Sequence, residues 1–462
     1  MNEARPVDPS SKNTAQNDDG DLPTLRLQDR VAYALGGAGW VTVDRLLLTW
    51  ALYFYMPPAE AGLPTRLPAW TFLGVITLWG AISIGGRIID SVTDPLMASW
   101  TDRSRHPFGR RRVFMASAAL PLALVTAVVF SPPDATATWQ NALFVGGALT
   151  GYYLAFTVYN VPYAALLPEL GRTPSGTVSL SVLQSAFQLA ASAGVMIGAS
   201  SLLGVFASSG MDKSTAFMTM AVIVCGVGAL LLLAPVVVID EPRFVRLTPP
   251  STDGTWTALR EVMQTVEVRW FLVGAVTYWF GFNTVAQGVP YYVTVLMQKP
   301  ESYMAFVLSA VFIVSGLSFP VIGALARRFG AARLMVVGAL TQAGFMVLIA
   351  FIRDPVLGTF LMALAGAPIA VVMSVPNAIL SALARRDTER TGKKREAMFF
   401  AAQAFFLKVN LGVSAAILSG LLLLGNSVEN PLGVKLTGPV AAVILLVSAY
   451  AFRRVDRMRI DA

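Results

Sequence analysis

Residues 85–112, GGRIIDSVTDPLMASWTDRSRHPFGRRR, place Arg87, Asp90 and Asp94 in an otherwise apolar run. On a helix with 3.6 residues per turn these three positions lie within an arc of about 60°, so they share one face. Arginines then crowd the segment that follows, at positions 103, 105 and 110–112. Charged side chains in a membrane helix need partners or a water-filled cavity, and clustered basic residues are typical of cytoplasmic turns. The stretch therefore predicts a membrane helix with a functional face, followed by a cytoplasmic turn.

The composition of the whole chain is that of a membrane protein. Of its 462 residues, 55% are hydrophobic and 13% are charged, and the mean hydropathy is +0.62, far from the balance of a soluble domain. The net charge of +8 is explained by basic residues flanking membrane spans. We therefore expect the lipid bilayer as a partner, and no nucleic acid. The single cysteine, Cys225, excludes an internal disulfide.

Apolar runs between polar or Pro/Gly-rich breaks predict an all-α membrane protein with twelve transmembrane helices, since about 20 residues suffice to cross a bilayer. The predicted spans are 31–55, 70–100, 113–131, 140–167, 177–206, 215–239, 267–296, 303–326, 333–352, 355–384, 397–425 and 436–453. Residues 1–28 are polar and acidic, and we expect a disordered cytoplasmic tail there rather than a cleaved signal peptide.

Lysine and arginine residues concentrate in alternate turns, which predicts that these turns are cytoplasmic. The basic turns lie within 103–112, 243–269, 327–333 and 385–395, with Arg172 in one further turn. The other turns hold Arg66, Lys213, Lys299, Arg353 and Lys435. With an even number of spans, both termini face the cytoplasm.

Two segments of the chain repeat weakly. NVPYAALLPEL at 160–170 and SVPNAILSALA at 374–384 each end a long predicted helix with Val-Pro and small residues. We therefore predict two six-helix bundles, 29–240 and 267–455, with a cytoplasmic linker at 241–266 and a cytoplasmic tail at 456–462. Transporters built from two such halves bind substrate at the interface between them, near the bilayer midplane.

The face shared by Arg87, Asp90 and Asp94 is a candidate cation site. One alternative is that Arg87 neutralises one carboxylate in a buried ion pair that only fixes helix packing. That pair leaves the second carboxylate without a counter-charge, and two ionised carboxylates one turn apart repel each other. We favour a bound Na⁺ or proton, with Thr93 and Thr157 as additional oxygen ligands. Asp44 and Arg45 in the first helix have no assigned role beyond local pairing.

Lys408 lies deep inside the eleventh predicted helix, too far from either end to reach water comfortably. Two readings stay open: a salt bridge to Asp90 or Asp94, and direct contact with substrate. Polar residues at helical spacing predict a cavity beside this cluster. They are Tyr159, Asn160 and Tyr163 on the fourth helix, Gln184 and Gln188 on the fifth, and Tyr278, Asn283 and Gln287 on the seventh.

The motif GRIIDSVTDPLMASWTDRSRHPFGRRR resembles the second helix and following loop of the glycoside-pentoside-hexuronide:cation symporters, the melibiose-permease-like branch of the major facilitator superfamily. FTVYNVPYAALLPEL resembles that family's fourth helix and REAMFFAAQAFFLKVNLG its eleventh. The resemblance covers residues 29–455 and implies twelve helices in two pseudo-repeats. It also implies symport driven by Na⁺, Li⁺ or H⁺, without a cofactor.

By motif position, the resemblance implies roles for individual residues. Asp90, Thr93, Asp94 and Thr157 match the family's cation site. Lys408 and Arg87 match its eleventh-helix lysine and second-helix arginine. The sugar-binding positions depart from the family, because Val41 or Thr42, Asn160 and Ala164 stand where galactoside-binding members carry two aspartates and a tryptophan.

These observations predict a secondary active transporter in the cytoplasmic membrane rather than an enzyme. We expect Na⁺- or H⁺-coupled symport of a sugar, glycoside or related small solute by alternating access, carried out by a monomer. Predicted solute-binding or coupling residues are Arg87, Tyr159, Asn160, Tyr163, Gln184 and Lys408. Two alternatives stay open: a carrier of a non-sugar amphiphile such as a lysolipid, and a transport-inactive sensor or scaffold.

Overall fold

Long α-helices make up most of the computed structural model, which describes residues 25–72, 74, 76–171, 174–244, 263–391 and 396–458. In chain order, the helices are α1 (Leu27–Tyr55), α2 (Leu78–Arg103), α3 (Arg112–Val128), α4 (Trp139–Gly171), α5 (Pro174–Ser208), α6 (Lys213–Val238), the short α7 (Glu241–Phe244), α8 (Val266–Tyr291), α9 (Met304–Phe329), α10 (Ala331–Ile349), α11 (Pro355–Leu364), α12 (Gly366–Thr391), α13 (Glu396–Leu422) and α14 (Leu432–Arg457).

Within the described residues, eight helical segments are long and apolar enough to cross a membrane. They are Trp139–Gly171, Ser179–Ser208, Lys213–Val238, Glu301–Phe329, Ala331–Ile349, Pro355–Thr391, Met398–Leu422 and Leu432–Arg457. The apolar helix α3 is shorter, with 17 residues. Helices α1, α2 and α8 carry charged or amide side chains inside their apolar runs. The chain is thus an all-α, multi-pass membrane protein.

Several element boundaries differ from the predicted ones. Helix α1 begins at Leu27, inside the segment expected to be disordered, and residues 1–24 lie outside the described part. Helix α2 begins at Leu78 rather than at 70, because β1 (Thr71–Phe72) and β2 (Ile76–Thr77) form a small antiparallel hairpin before it. The Thr77 hydroxyl caps α2 by accepting a hydrogen bond from the Gly80 N–H at 3.0 Å, which fixes the helix start there.

The predicted linker and the tenth predicted span also differ. The linker segment 241–266 begins with the helical turn α7 and ends with the start of α8, while residues 245–262 lie outside the described part. The span expected at 355–384 is interrupted at Ala365, between α11 and α12. The predicted tail at 456–462 starts inside α14, and residues 459–462 are not described.

The helices pack in two groups, the N-terminal group (α1–α6) and the C-terminal group (α8–α14). In the first, α1 packs on α5 and α6, and α4 packs on α2 and α3; in the second, α14 packs on α8 and α10, and α12 packs on α9 and α10. The groups meet where α2 contacts α13, α5 contacts α9 and α1 contacts α8. Glycines permit close approach within a group: a Cβ at Gly39 would lie 2.6 Å from the Leu232 backbone nitrogen.

Polar contacts join the two groups at the end opposite the basic turns, which we call the joined end. There Glu301 accepts hydrogen bonds from the Tyr53 hydroxyl (3.1 Å) and the Lys213 ammonium (3.3 Å). The Tyr291 hydroxyl donates to the Met56 carbonyl at 2.7 Å. This arrangement closes the interface at the joined end.

Candidate ion and solute sites

Asp90 lies at the centre of a charged cluster between α2, α4 and α13. The side chain is fully buried, and its Oδ1 accepts hydrogen bonds from Thr157 Oγ1 (2.9 Å) and Lys408 Nζ (3.2 Å). Its other oxygen, Oδ2, has no hydrogen-bond partner within the described residues and lies 3.6 Å from Arg87 Nη1. A buried carboxylate of this kind depends on the two basic side chains for stabilisation.

Asp94 lies one turn further along α2 and shares two partners with Asp90, Thr157 and Lys408. Its Oδ1 is 3.2 Å from Thr157 Oγ1, and its Oδ2 is 2.5 Å from Lys408 Nζ. Its side chain is 30% exposed, whereas that of Asp90 is at 0%. Since residue numbers rise along α2 towards the basic turn that follows it, Asp94 is the carboxylate nearer to that side and the one that solvent reaches.

The Thr157 hydroxyl lies close to the other side-chain oxygens of the cluster. In addition to the two carboxylates, Thr93 Oγ1 lies 3.3 Å from Thr157 Oγ1. Thr93 donates its own hydrogen to the Ile89 carbonyl at 2.9 Å, so its lone pairs remain available to other partners. Two carboxylates and two hydroxyls thus meet in one place, and oxygen ligands of these types suit hard cations.

Arg87 connects the cluster to α1 and α4. Its Nη2 lies 4.0 Å from Asp44 Oδ1, which also accepts a hydrogen bond from the Tyr152 hydroxyl at 3.0 Å. Its guanidinium carbon lies 4.8 Å from the centre of the Tyr153 ring, a cation–π geometry. The Tyr153 ring packs directly on Gly86, where no Cβ could be accommodated. Asp44 therefore belongs to the same charge network, a contact that the sequence left unassigned.

The charges of this network do not balance. Its carboxylates are Asp44, Asp90 and Asp94, and its cations are Arg87 and Lys408. With every group ionised, the network carries one excess negative charge, as an arrangement of three anions and two cations must. Binding one proton or one monovalent cation would neutralise it. Within the described residues, no group of three or more His, Cys, Asp or Glu side chains could hold a metal ion, so a candidate cation would rely on hydroxyl oxygens as well.

The third aspartate of the motif, Asp102, lies outside this cluster. The structure places it 3.5 Å from Arg111. Arg111 also forms an ion pair with Glu169, with Nη2 2.5 Å from Oε1, and Arg110 binds the same carboxylate. These pairs hold the turn after α2 against the end of α4.

A large cavity of about 540 Å³ lies between the two helix groups, in the size range of small-molecule sites. Helices α1 and α5 line one wall and helices α8–α12 line the other. Most of the lining is apolar or aromatic. Its charged or amide-bearing members are Arg45, Gln188, Asn283, Gln287 and Gln342. Gln188, Asn283 and Gln287 were expected to line a cavity; Arg45 and Gln342 were not.

The predicted solute-binding residues of α4 and α5 lie elsewhere. The Tyr159 hydroxyl donates to the Leu232 carbonyl at 2.8 Å, and the Tyr163 hydroxyl donates to the Tyr33 carbonyl at 2.9 Å. Both rings are buried in the packing of α4 against α1 and α6. Asn160 and Gln184 are partly buried, and neither lines the large cavity. Their role in binding solute therefore stays a prediction.

Gln287 lies between the large cavity and the charged network. It lines the large cavity and also a small cavity of about 20 Å³ whose wall includes Arg87 and Tyr153. Aromatic side chains also link the large cavity to Lys408. The ring centres of Trp40, which lines the cavity, and Phe156 are 5.7 Å apart in an edge-on arrangement, and Lys408 Nζ lies 5.9 Å from the Phe156 ring centre. The spacing of polar residues predicted Gln287, whereas nothing in the sequence singled out Phe156.

Residues 32–433 match the sequence profile of a family described as MFS/sugar transport protein. The chain belongs to this family. The match confirms the resemblance drawn from the α2, α4 and α13 motifs. Because MFS/sugar transport proteins are transporters, the chain is a membrane transport protein and not an enzyme.

Named relatives of this MFS/sugar transport protein are symporters or transporters. The inner membrane symporter YicJ of Escherichia coli (strain K12) is 27% identical over 289 residues, which are 61% of this chain and 57% of that one. The putative glycoside/cation symporter YagG of the same organism is 24% identical over 289 residues, 62% and 58% of the two chains. The isoprimeverose transporter of Lactiplantibacillus pentosus is 20% identical over 263 residues, 56% and 54%. The match thus spans a little over half the length of these relatives.

Solved structures show the same fold. The nucleoside transporter NupG superposes with a TM-score of 0.60 at 13% identity, over 93% of this chain and 98% of that one. A bacterial homologue of the human lysosomal transporter Spinster, inward-facing and occupied, gives a TM-score of 0.62 at 13% identity, over 93% and 96%. At this identity the likeness concerns the fold alone.

Proposed function

We propose that the chain is a cation-coupled symporter that moves a sugar, glycoside or related small solute across the cytoplasmic membrane. In this proposal α1, α2, α3 and α8 also span the membrane, which gives twelve spans in bundles at 29–240 and 267–455, with both termini cytoplasmic. The symporter names of the relatives support the coupling, and the family description supports a sugar as solute.

The proposal depends most on the excess negative charge of the network of Asp44, Asp90 and Asp94, two of which Lys408 reaches from the other helix group. A buried carboxylate without a full counter-charge is costly. One monovalent cation removes that cost. Because the site lies where α2 meets α13, its charge state acts on the contact between the two groups.

The cation competes with the Lys408 ammonium for the same two carboxylates. A cation entering past the exposed Asp94 meets Asp94 Oδ1, Asp90 Oδ1 and Thr157 Oγ1, which already converge. As it binds, the ammonium moves away from Asp94 but stays within the charged network, because two positive charges at this distance repel each other. A proton achieves the same neutralisation by occupying one carboxylate oxygen.

Solute binding is linked to this exchange through shared walls. Gln287 contributes to both the large cavity and the small cavity beside Arg87, and the Trp40–Phe156 contact leads towards Lys408. A displaced Lys408 therefore alters the surroundings of the solute. The coupling is reciprocal: the factor by which the cation raises solute affinity equals the factor by which solute raises cation affinity.

Alternating access then consists of rocking the two groups about the cluster. In the described state, hydrogen bonds of Glu301 and Tyr291 close the interface at the joined end. Solute would therefore reach the large cavity from the side of the basic turns. The reverse state requires these contacts to break. A sensor or scaffold would have no need to break them.

Binding linkage in purified protein tests the proposal. We expect sugars or glycosides that bind to raise the melting temperature more when Na⁺, Li⁺ or low pH is present than when none is, because ligands that prefer the folded form stabilise it. If the melting-temperature shifts caused by cation and by solute simply add for every combination, symport is contradicted. Potassium at the same ionic strength is the control for general salt effects.

A further inference from the structure

Arg45 is an intramembrane cation that takes no part in the charged network. The carboxylate of its neighbour Asp44 instead accepts a hydrogen bond from Tyr152 at 3.0 Å and lies 4.0 Å from Arg87. Within the described residues, Arg45 itself makes no ion pair and no hydrogen bond, and its side chain is partly buried in the wall of the large cavity. Among the residues that the structure describes, it is the one charged residue in that wall.

Two buried amides of the facing wall also have unused hydrogen-bonding atoms. Gln287 Nε2 and Gln342 Oε1 have no hydrogen-bond partner within the described residues, although the two side chains are only 5% and 1% exposed. Unsatisfied buried polar groups of this kind cost stability unless a ligand or water meets them. Both side chains contribute to the lining of the same cavity as Arg45, so the polar part of the lining comes from both helix groups.

The remaining surface of the cavity is apolar and rich in aromatic rings. Trp40 comes from α1, and Trp279, Phe282, Phe312 and Phe345 come from the C-terminal group. Such a wall is suited to an apolar ring system, which it desolvates, and the rings themselves stack on aromatic ligands. A small neutral sugar would leave much of the aromatic surface uncovered and the Arg45 guanidinium without a counter-charge.

We propose that this cavity binds an amphiphilic monoanion: a solute whose single anionic group pairs with Arg45 and whose apolar ring system lies against the aromatic wall. Guanidinium groups bind carboxylate, sulfate and phosphate oxygens with strong, charge-assisted hydrogen bonds. The proposal rests on the proposed function in one respect, that the large cavity is the solute site. It adds the charge and the shape of the solute.

The excess charges of the two sites are then equal in size and opposite in sign. The network around Asp90 lacks one positive charge, and Arg45 lacks one negative charge. One monovalent cation and one monoanionic solute neutralise both sites together. A loaded carrier of this kind moves across the membrane with no unpaired charge at either site, which lowers the desolvation cost of the transition.

Titration calorimetry on the purified full chain tests this with three probes that differ in one feature each. They are 4-nitrophenyl β-D-glucoside 6-sulfate, the neutral 4-nitrophenyl β-D-glucoside, and glucose 6-sulfate, which lacks the aryl ring. We expect the first to bind at least about tenfold more tightly than either of the others, since hydrogen bonds to charged groups contribute about 1.5–3 kcal/mol. Equal affinity for the sulfated and neutral aryl glucosides, or no binding of any probe, would overturn the proposal.

Variants of Arg45 provide the second arm. Arg45→Gln should abolish the preference for the sulfate, Arg45→Lys should retain part of it, and Arg353→Gln, at an exposed turn, should leave it unchanged. A preference that persists in Arg45→Gln overturns the assignment. If Arg45→Gln does not fold, the wild-type ranking of the probes decides alone. These measurements need no ion gradient, so a correct ranking without ion-driven accumulation would contradict symport and leave this inference standing.

Discussion

Lys408 of α13 donates a hydrogen bond to Asp94 of α2, with Nζ 2.5 Å from Oδ2, and thereby ties the two helix groups together inside the membrane. The same ammonium lies 3.2 Å from Asp90 Oδ1. Of the two readings that the sequence left open for Lys408, the salt bridge is present in this state. Because a cation would compete for the same carboxylates, ion binding would act directly on this contact between the two helix groups.

The Thr157 hydroxyl supports the cation site without carrying charge. Thr157→Val removes the one oxygen that lies within 2.9 and 3.2 Å of the two carboxylates while keeping the volume of the side chain. We expect the half-saturating cation concentration for transport to rise about tenfold, the order expected for losing one hydrogen bond to a charged group. Thr157→Ser, which keeps the hydroxyl, should transport with near wild-type ion affinity. Identical ion dependence in the two variants would exclude Thr157 from the site.

Removing the Lys408 charge should destabilise the protein in the absence of coupling ion. Lys408→Gln leaves Arg87 as the one cation beside the buried carboxylate of Asp90 among the described residues. Breaking a buried ion pair in this way costs about 3–5 kcal/mol. The melting temperature should fall, and cation should restore more of it than in the wild type. The double variant Lys408→Gln/Asp94→Asn should recover part of the loss, because the two sites are coupled. Additive effects of the two changes would show that the bridge has no energetic weight.

Glu241 should make the fold sensitive to pH outside the membrane. It accepts hydrogen bonds from the backbone N–H groups of Arg111 and Arg112 (3.0 and 2.7 Å to Oε2), which precede and begin α3. Burial raises the pKa of Glu241 above its usual 4.5, and the two N–H groups lower it by a smaller amount. A raised folded-state pKa means that the folded protein holds the proton more tightly than the unfolded chain. The resulting stability is present below pH 4.5 and is lost as pH rises towards the raised pKa.

A comparison with Glu241→Gln measures this effect. The melting temperature of the wild type relative to that of Glu241→Gln should decrease as pH rises from about 4 to about 7, since only the wild type loses a proton there. Asp240→Asn is the control, because its carboxylate is half exposed. A wild-type and Glu241→Gln difference that does not vary with pH would show that the buried carboxylate keeps its ordinary affinity for protons.

The charged face of α2 could be predicted because helical periodicity alone places residues 87, 90 and 94 on one side. The cost of a buried charge then predicts that partners must exist, and Lys408, deep inside the eleventh predicted helix, was a candidate partner. The position of Asp44 could not be predicted in this way. Its contact with Arg87 depends on how α1 packs on α2 and α4, and single-helix patterns contain no information about that packing.

The roles of Tyr159 and Tyr163 could not be predicted from the sequence. Their spacing is equally compatible with a polar cavity and with hydrogen bonds to neighbouring backbones, and the structure uses both hydroxyls for the latter. Arg45 was recognised as a charge in the first predicted helix, but its position in the wall of the large cavity depends on how the two helix groups are arranged. The hairpin before α2 was missed because its residues are apolar enough to extend the helical run.

Cation-coupled symport is tested by accumulation of solute in proteoliposomes, driven by an imposed cation gradient. Wild-type protein should concentrate a bound solute when a Na⁺, Li⁺ or H⁺ gradient is applied and should lose the accumulation when an ionophore collapses that gradient. Asp94→Asn should insert and equilibrate solute without accumulating it, whereas Asp102→Asn, outside the cluster, should behave as wild type. Equal accumulation with and without the gradient, or full gradient-driven accumulation by Asp94→Asn, would contradict the account.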